Sequence, residues 1–343
     1  MSELSDVRAE KQRADIVADG EAEAEAETAV PASKPAPAAE PRVRKLDIVG
    51  RRNWFFALSL LIIVPGIISM ATRHFALGID FAGGTELTVT FANHPSFQQV
   101  ETAVEAEGVN GSVIQTGGGG YILRYPVLNQ TQLTNLQNDL QNRLGPMNVQ
   151  QILSVGGTIA GETIFYSVLA VVLASVAILL LLAIRFRNVP GGWRAGFQFG
   201  GSALLALLHD VFILTGIFSI LGKVFDLRVG EIDAFFVTAV LTVVGFSVHD
   251  TIVVFDRIRE NLRVSQRLSF EQVVNLSIMQ TAARSIITSF TVVLVLAAIL
   301  IAGGTTLQGL ALALMIGIVS GTYSSIFNAA PLLVVWRRVQ PVR

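Results

Sequence analysis

The sequence predicts an α-helical polytopic membrane protein: six transmembrane helices, with a small α+β module of ferredoxin-like order (βαββαβ) between the first and second. Three observations lead there. Of 343 residues, 52% are hydrophobic and only 15% are charged, whereas a soluble domain carries about a quarter charged residues. The mean hydropathy is +0.57. Six stretches stay apolar for the roughly twenty residues that a bilayer-crossing helix needs, and between the first two the pattern changes to short strands and amphipathic helices.

Residues 1–44 are rich in Glu, Ala and Pro (GEAEAEAETAVPASKPAPAAEP) and lack apolar periodicity, which predicts a disordered acidic tail. Residues 45–72 hold a juxtamembrane segment and the first apolar stretch, 53–72. That stretch begins too far into the chain for a cleavable signal peptide and reads as a retained helix. Pro65 inside it is tolerable as a kink. The remaining stretches are 161–184, 196–221, 234–255, 285–303 and 308–336, with a loop expected over 256–284 and a short tail at 337–343. The chain has no Cys, so it has neither a disulfide framework nor a thiolate metal site.

Arg and Lys placement predicts orientation. Arg42, Arg44, Lys45, Arg51 and Arg52 precede the first stretch; Arg185, Arg187 and Arg194 follow the second. Arg257, Arg259, Arg263 and Arg267 follow the fourth, and Arg337, Arg338 and Arg343 follow the sixth. The alternate connections are poorer in positive charge. Both termini are therefore expected in the cytoplasm, with 73–160 forming an extracytoplasmic domain.

Within that domain ELTVTFA (86–92) alternates like a half-buried strand, and FQQVETAVEAEG (97–108) is amphipathic and ends at glycine. SVIQTG (112–117) and YILRYP (121–126) flank a glycine run at a hairpin position. QTQLTNLQNDLQNRLG (130–145) places Leu133, Leu136, Leu140 and Leu144 on one face, and VQQILSV (149–155) closes the module. No cluster of acids or His within it resembles an active site, so it reads as a binding or mechanical part. Ahead of it stands GIDFAGGT, with Gly78, Asp80, Phe81, Gly83 and Gly84. The glycine pair predicts a turn into a strand; with no Lys following, no helix expected to open here and the segment expected outside the cell, a phosphate loop is not expected.

Charge inside the apolar stretches marks the candidate site. Asp250 lies in 234–255 and Asp210 in 196–221, while Arg284 opens the fifth stretch. A carboxylate at such depth costs several kcal/mol unless paired, hydrated or protonated, and usually carries function. At 1.5 Å per residue Asp250 lies about 24 Å along its stretch, which lets Arg284 meet it if the two helices pack together. Asp210 reads equally as a hydrogen-bonding group between helices. Desolvation raises a carboxylate's pKa and a nearby guanidinium lowers it. An Asp whose distance to an Arg changes between two conformations therefore takes up and releases a proton. His209 and His249 each precede an Asp, but helical neighbours point about 100° apart, so each is expected to be a packed or helix-contacting residue rather than a member of the same relay. The His positions make no case for a metal, and no cofactor or enzymatic constellation is expected. Gly317 and Gly321 form a GxxxG followed by Thr322, Ser324 and Ser325, and Gly200, Gly201 and Ser202 recur in the third stretch; both suit close helix packing. Phe270–Ala283 reads as an amphipathic surface connector.

Several segments together resemble the SecF family of bacterial protein-export subunits, the smaller partners of SecD. They are GIDFAGGT (78–85), ALLHD (206–210), VGFSVHDTIVVFDRIREN (244–261), ARSIITS (283–289) and GLALALMIGIVSGTYSS (309–325). The resemblance covers roughly 45–336 and implies a half-transporter of the resistance–nodulation–division type in the plasma membrane. It implies proton flow coupled to translocation of unfolded polypeptide, with a SecD-like subunit, a SecYEG-type channel, a YajC-like accessory subunit and the exported polypeptide as partners, and no nucleic acid. It assigns proton transport to Asp250 and Arg284, matches Asp210 to a His-Asp pair, and makes Asp256, Arg257, Arg259, Glu260 and Asn261 a structural motif. His249 stands where Asn is expected, and its ring could tune Asp250. A small-molecule exporter of the same superfamily and a purely structural assembly subunit are the alternatives.

Overall fold

The computed structural model describes residues 46–341, apart from 109, 117 and 266. The expectation of a tail over 1–44 falls outside the described residues. Among the described residues six helices are long and apolar enough to cross a membrane. In chain order, α1 (Arg52–Arg73) leads through the one-turn α2 (Ile79–Ala82) into a domain of β1 (Gly84–Phe91), α3 (Phe97–Glu105), β2 (Ser112–Gln115), β3 (Tyr121–Tyr125), α4 (Gln130–Leu144) and β4 (Met147–Val155). The membrane helices resume with α5 (Gly157–Arg185), α6 (Gly192–Lys223), α7 (Ala234–Val264) and α8 (Phe270–Ala302). The last span is α9 (Thr305–Ser324), a π turn (Ser325–Ala329) and α10 (Ala330–Val339).

The sheet order is β2-β3-β1-β4, antiparallel throughout, as the βαββαβ pattern requires. Capping boxes at Ser96/Gln99 and Asn129/Gln132 set the starts of its two helices. Leu87, Val89 and Leu123 on one sheet face pack against Val100, Val104, Leu136 and Leu140. The opposite face carries charge. Arg124 donates to Glu86 at 2.8 Å and, in a two-pronged contact, to Glu231 at 2.6 and 2.8 Å; Arg228 reaches Glu86 at 3.4 Å. This network ties the sheet to the connection between α6 and α7. Burial pulls the Arg124 pKa down, but the two carboxylates outweigh it and leave the guanidinium above its ordinary range.

The Gly78–Gly84 segment makes the second tie. Gly78 N–H donates to the Ile232 carbonyl, and Ile232 N–H donates to the Ala76 carbonyl, each at 2.8 Å. Asp80 Oδ2 accepts from Ala234 N–H at 3.0 Å while Asp233 Oδ1 accepts from Phe236 N–H at 2.8 Å. Both carboxylates thus cap α7, the helix that carries Asp250. Gly83 and Gly84 have φ of 71° and 125°, and a methyl on Gly84 would lie 2.5 Å from the Tyr125 carbonyl oxygen. Only glycine fits that corner.

One expectation is corrected. Residues 256–284 do not form a loop, and Phe270–Ala283 is no separate connector. The helix of the fourth stretch continues to Val264, and α8 runs unbroken from Phe270 to Ala302. Ion pairs at i,i+3 (Arg257–Glu260, Arg259–Asp256) support the extension of α7. A capping box at Ser269/Gln272 starts α8, and no Gly or Pro interrupts it. The apolar face of its first half is buried within the chain: Val273, Val274, Leu276 and Ile278 pack inward, and Asn275 Oδ1 accepts from Ile48 N–H at 2.9 Å.

Burial raises the Asp233 pKa above its ordinary 3.8, and the charges of Asp80 and Glu231 add to this against the backbone bond from Phe236. The folded state therefore binds more protons than the unfolded chain between 3.8 and the raised value. The contribution of Asp233 to stability falls as pH rises through that window. Asparagine caps about as well, so Asp233→Asn should flatten this part of the stability profile, measured as unfolding midpoint against pH. Unchanged pH sensitivity would contradict the assignment.

Candidate functional site

The site begins with glycine. A methyl on Gly317 would sit 2.2 Å from Val243 Cγ2, and one on Gly321 would sit 3.0 Å from Ser247 Cβ. The GxxxG face of α9 therefore lies against α7 at a distance no larger residue permits. This contact brings short hydroxyl side chains of both helices within reach of the carboxylate that α6 projects between them.

That carboxylate is Asp210, 1% exposed. Its Oδ1 accepts from Ser320 Oγ at 2.7 Å; its Oδ2 accepts from Ser247 Oγ at 2.7 Å and Ser324 Oγ at 2.6 Å. His209 Nδ1 lies 3.0 Å from Oδ1. His209 contacts its own neighbour because side-chain torsions swing the ring back across the 100° between successive Cβ directions. Its Nε2 is buried and has no hydrogen-bond partner among the described residues, and its ring stacks on Tyr323 with centroids 6.1 Å apart.

Asp250 is 8% exposed and has fewer partners. Ser285 of α8 donates to Oδ1, and Ser325, the first residue of the π turn, donates to Oδ2 at 2.7 Å. One turn further along α8, Ser289 bonds Thr322 of α9. The two carboxylates are thus held by adjacent hydroxyls of one helix, Ser324 on Asp210 and Ser325 on Asp250.

Arg284 is not on Asp250. No ion pair joins them among the described residues. Arg284 is exposed and lines a surface cleft of about 560 Å³ with Asp256, Arg257, Arg259, Glu260 and Arg263. The reason is helical geometry: Ser285 faces Asp250, so its neighbour points about 100° away. His249 is exposed for the same reason, on the side of α7 away from Asp250.

Beyond the apolar run, Asp256 takes Arg185 at 3.0 Å and Arg259 at 3.3 Å, linking α5 to α7. Arg257 donates to Gln280 at 2.6 Å and to Glu260 at 2.7 Å. Asn261 donates to Ser277 at 2.8 Å and Gln280 at 2.9 Å. These residues clamp the ends of α7 and α8 together. Among the described residues no group of three or more His, Asp or Glu is placed to hold a metal ion.

Sequence reasoning missed the hydroxyls as ligands. In the sequence Ser324, Ser325 and Thr322 read as small packing residues, and nothing in the apolar pattern marks Ser247, Ser285 or Ser320. The available signal was Ser247 one turn before Asp250 and Ser285 beside Arg284, in stretches where a hydroxyl has no water to satisfy it.

The family model for the C-terminal part of the protein export membrane proteins SecD/SecF matches residues 136–339. The SecD/SecF GG-motif model matches 68–93, which holds Gly83 and Gly84. The protein translocase subunit SecF of Thermobaculum terrenum is 45% identical over 304 residues, 85% of this chain and 94% of the relative. The chain belongs to the SecD/SecF family. The SecF subunit of Anaerolinea thermophila is 40% identical over 296 residues, 85% of this chain and 94% of that one. The crystal structure of SecDF from Thermus thermophilus, described as a translocon-associated membrane protein, superposes with a TM-score of 0.75 at 31% identity, covering 89% of this chain. The chain spans 40% of that longer SecDF chain. A SecDF structure in a super-membrane-facing form gives a TM-score of 0.61 at 29% identity, again over 89% of this chain and 40% of the other. Within the SecD/SecF family, then, the described residues of this chain form six spans and a sheet domain, and Gly78 and Asp80 just ahead of that domain reach the start of α7.

Gly317→Ala should cost about 1–3 kcal/mol from overpacking against Val243, read from thermal unfolding in detergent. Val243→Ala, which removes the opposing methyls, should restore most of it. A stable Gly317→Ala single variant would show that α7 and α9 pack less closely than described.

Proposed function

We propose that this chain is a membrane-embedded auxiliary subunit of the Sec protein-export machinery that couples proton flow to polypeptide translocation, acting with a SecD-like subunit. The family supports export rather than the small-molecule exporter alternative, since the relatives are named as protein translocase subunits. A SecYEG-type channel, a YajC-like accessory subunit and the exported polypeptide are its further partners in this reading. The Arg and Lys distribution supports both termini on the cytoplasmic side of a bacterial plasma membrane, with the sheet domain outside.

One observation carries the proton-coupling part. Asp250 is buried in an apolar bundle with only two hydroxyl donors, while Arg284 stands beside one of them on the same helix. A turn of α8 that brings Arg284 toward Asp250 takes Ser285 away. Asp250 thus exchanges a neutral donor for a cation, and such an exchange changes the proton affinity of a buried carboxylate. Arg keeps its charge throughout and acts as a movable counterion. A proton crossing the membrane potential releases about 2.3 kcal/mol per 100 mV, enough to bias such a two-state step. His249, on the outer side of α7, tunes this step at most through its charge. Asp210 is the weaker relay candidate.

Asp250→Asn keeps the shape of the side chain and removes its proton chemistry. In membrane vesicles with the partner subunit, the variant should assemble normally while proton-dependent export and export-linked proton flux fall to the level without the chain. Normal proton-dependent export would sink the relay and leave the structural-subunit reading.

A further inference from the structure

Asp210 is the more deeply buried of the two carboxylates, yet its surroundings differ in kind from those of Asp250. Three hydroxyls from two helices and one ring nitrogen converge on it, with all four contacts at 3.0 Å or less. Ser247 belongs to α7, Ser320 and Ser324 belong to α9, and Asp210 belongs to α6, so a single side chain fastens three helices. Ser247 lies one turn before Asp250 on α7, and Ser324 immediately precedes the Ser325 that donates to Asp250. Both routes from Asp210 therefore end at the Asp250 carboxylate.

The backbone makes the second route sensitive. Ser324 closes the α-helical part of α9, and Ser325 opens a π turn that runs to Ala329, just ahead of Pro331. Proline supplies no N–H to the ladder, and a π turn places its residues off the α-helical register. The direction of the Ser325 hydroxyl is thus not fixed by a regular helix on its C-terminal side. On its N-terminal side the hydroxyl lies 3.1 Å from the Thr322 carbonyl, and the preceding residue, Ser324, is held on Asp210.

We infer that Asp210 is a positioning residue: it fixes the entry to the π turn through Ser324 and thereby aims the Ser325 hydroxyl at Asp250. In this role it need not carry protons. The inference rests on Asp250 being the working carboxylate, but its test does not depend on transport.

The test reads the hydrogen-bonding state of Asp250 directly, by infrared difference spectroscopy of the full chain with its partner subunit. The Asp250 side-chain band is identified by its loss in Asp250→Asn, and it is present in either protonation state. Ser325→Ala removes the proposed donor and displaces the band, which calibrates the effect. Asp210→Asn is expected to displace the Asp250 band in the same direction, and the double variant to displace it no further than either single change. Ser324→Ala removes one hydroxyl and serves if Asp210→Asn does not fold; it is expected to give the same displacement. An Asp250 band that stays in place in Asp210→Asn or Ser324→Ala overturns the inference, as does a double variant whose displacement is the sum of the two. Loss of proton flux in Asp250→Asn is a separate result, so the relay and the positioning role can fail independently.

Discussion

Two carboxylates sit inside a bundle whose outer surface is apolar, and each needs donors that water would otherwise supply. Leaving such a group unsatisfied in hydrocarbon costs several kcal/mol, so the bundle is arranged around providing them. The donors are serine hydroxyls, which reach only if the helix backbones come close. That closeness comes from the glycine face of α9 against Val243 and Ser247 of α7. Glycine contact, serine reach and carboxylate burial form one dependency, and the remaining spans pack around it. The spans are unequal in this respect: α6, α7 and the last span are much more buried than α1, α5 and α8.

The sheet domain is attached to the same element. Asp80 caps the first turn of α7, Gly78 and Ile232 exchange backbone bonds with the neighbouring segments, and Glu231 grips Arg124 in the sheet. The glycine corner at Gly83 and Gly84 lets β1 leave this junction at once. A displacement of α7 along its axis is therefore transmitted through short, charged and geometrically specific contacts rather than through a slack linker.

Much of this was legible in the sequence. Six apolar runs and a period-two pattern bounded by glycines predict the spans and the βαββαβ module, because burial and periodicity are local properties. The continuation of α7 and α8 beyond the membrane was not legible from hydropathy. It depends on Asn261 meeting Ser277 and Gln280 across two helices, and a hydropathy profile sees only where the apolar run stops. Asp210 and Asp250 stood out by their cost. Their ligands did not, since a serine in an apolar helix looks alike whether it packs or donates. Pairing Arg284 with Asp250 followed from depth alone. The azimuth around α8 decides the contact, and it gives the place to Ser285.

The unbroken length of α8 has a mechanical meaning. Thirty-three residues in one helix form a rod of about 50 Å, stiff in torsion because every internal backbone group is bonded. Its far end is gripped by Asn275 on Ile48 and Leu46 and by Asn261 on Ser277 and Gln280. A rotation at Arg284 has no loop in which to dissipate. It is delivered as torque to the segment that enters α1, so the level of Asp250 and the chain entering the bundle share one axle.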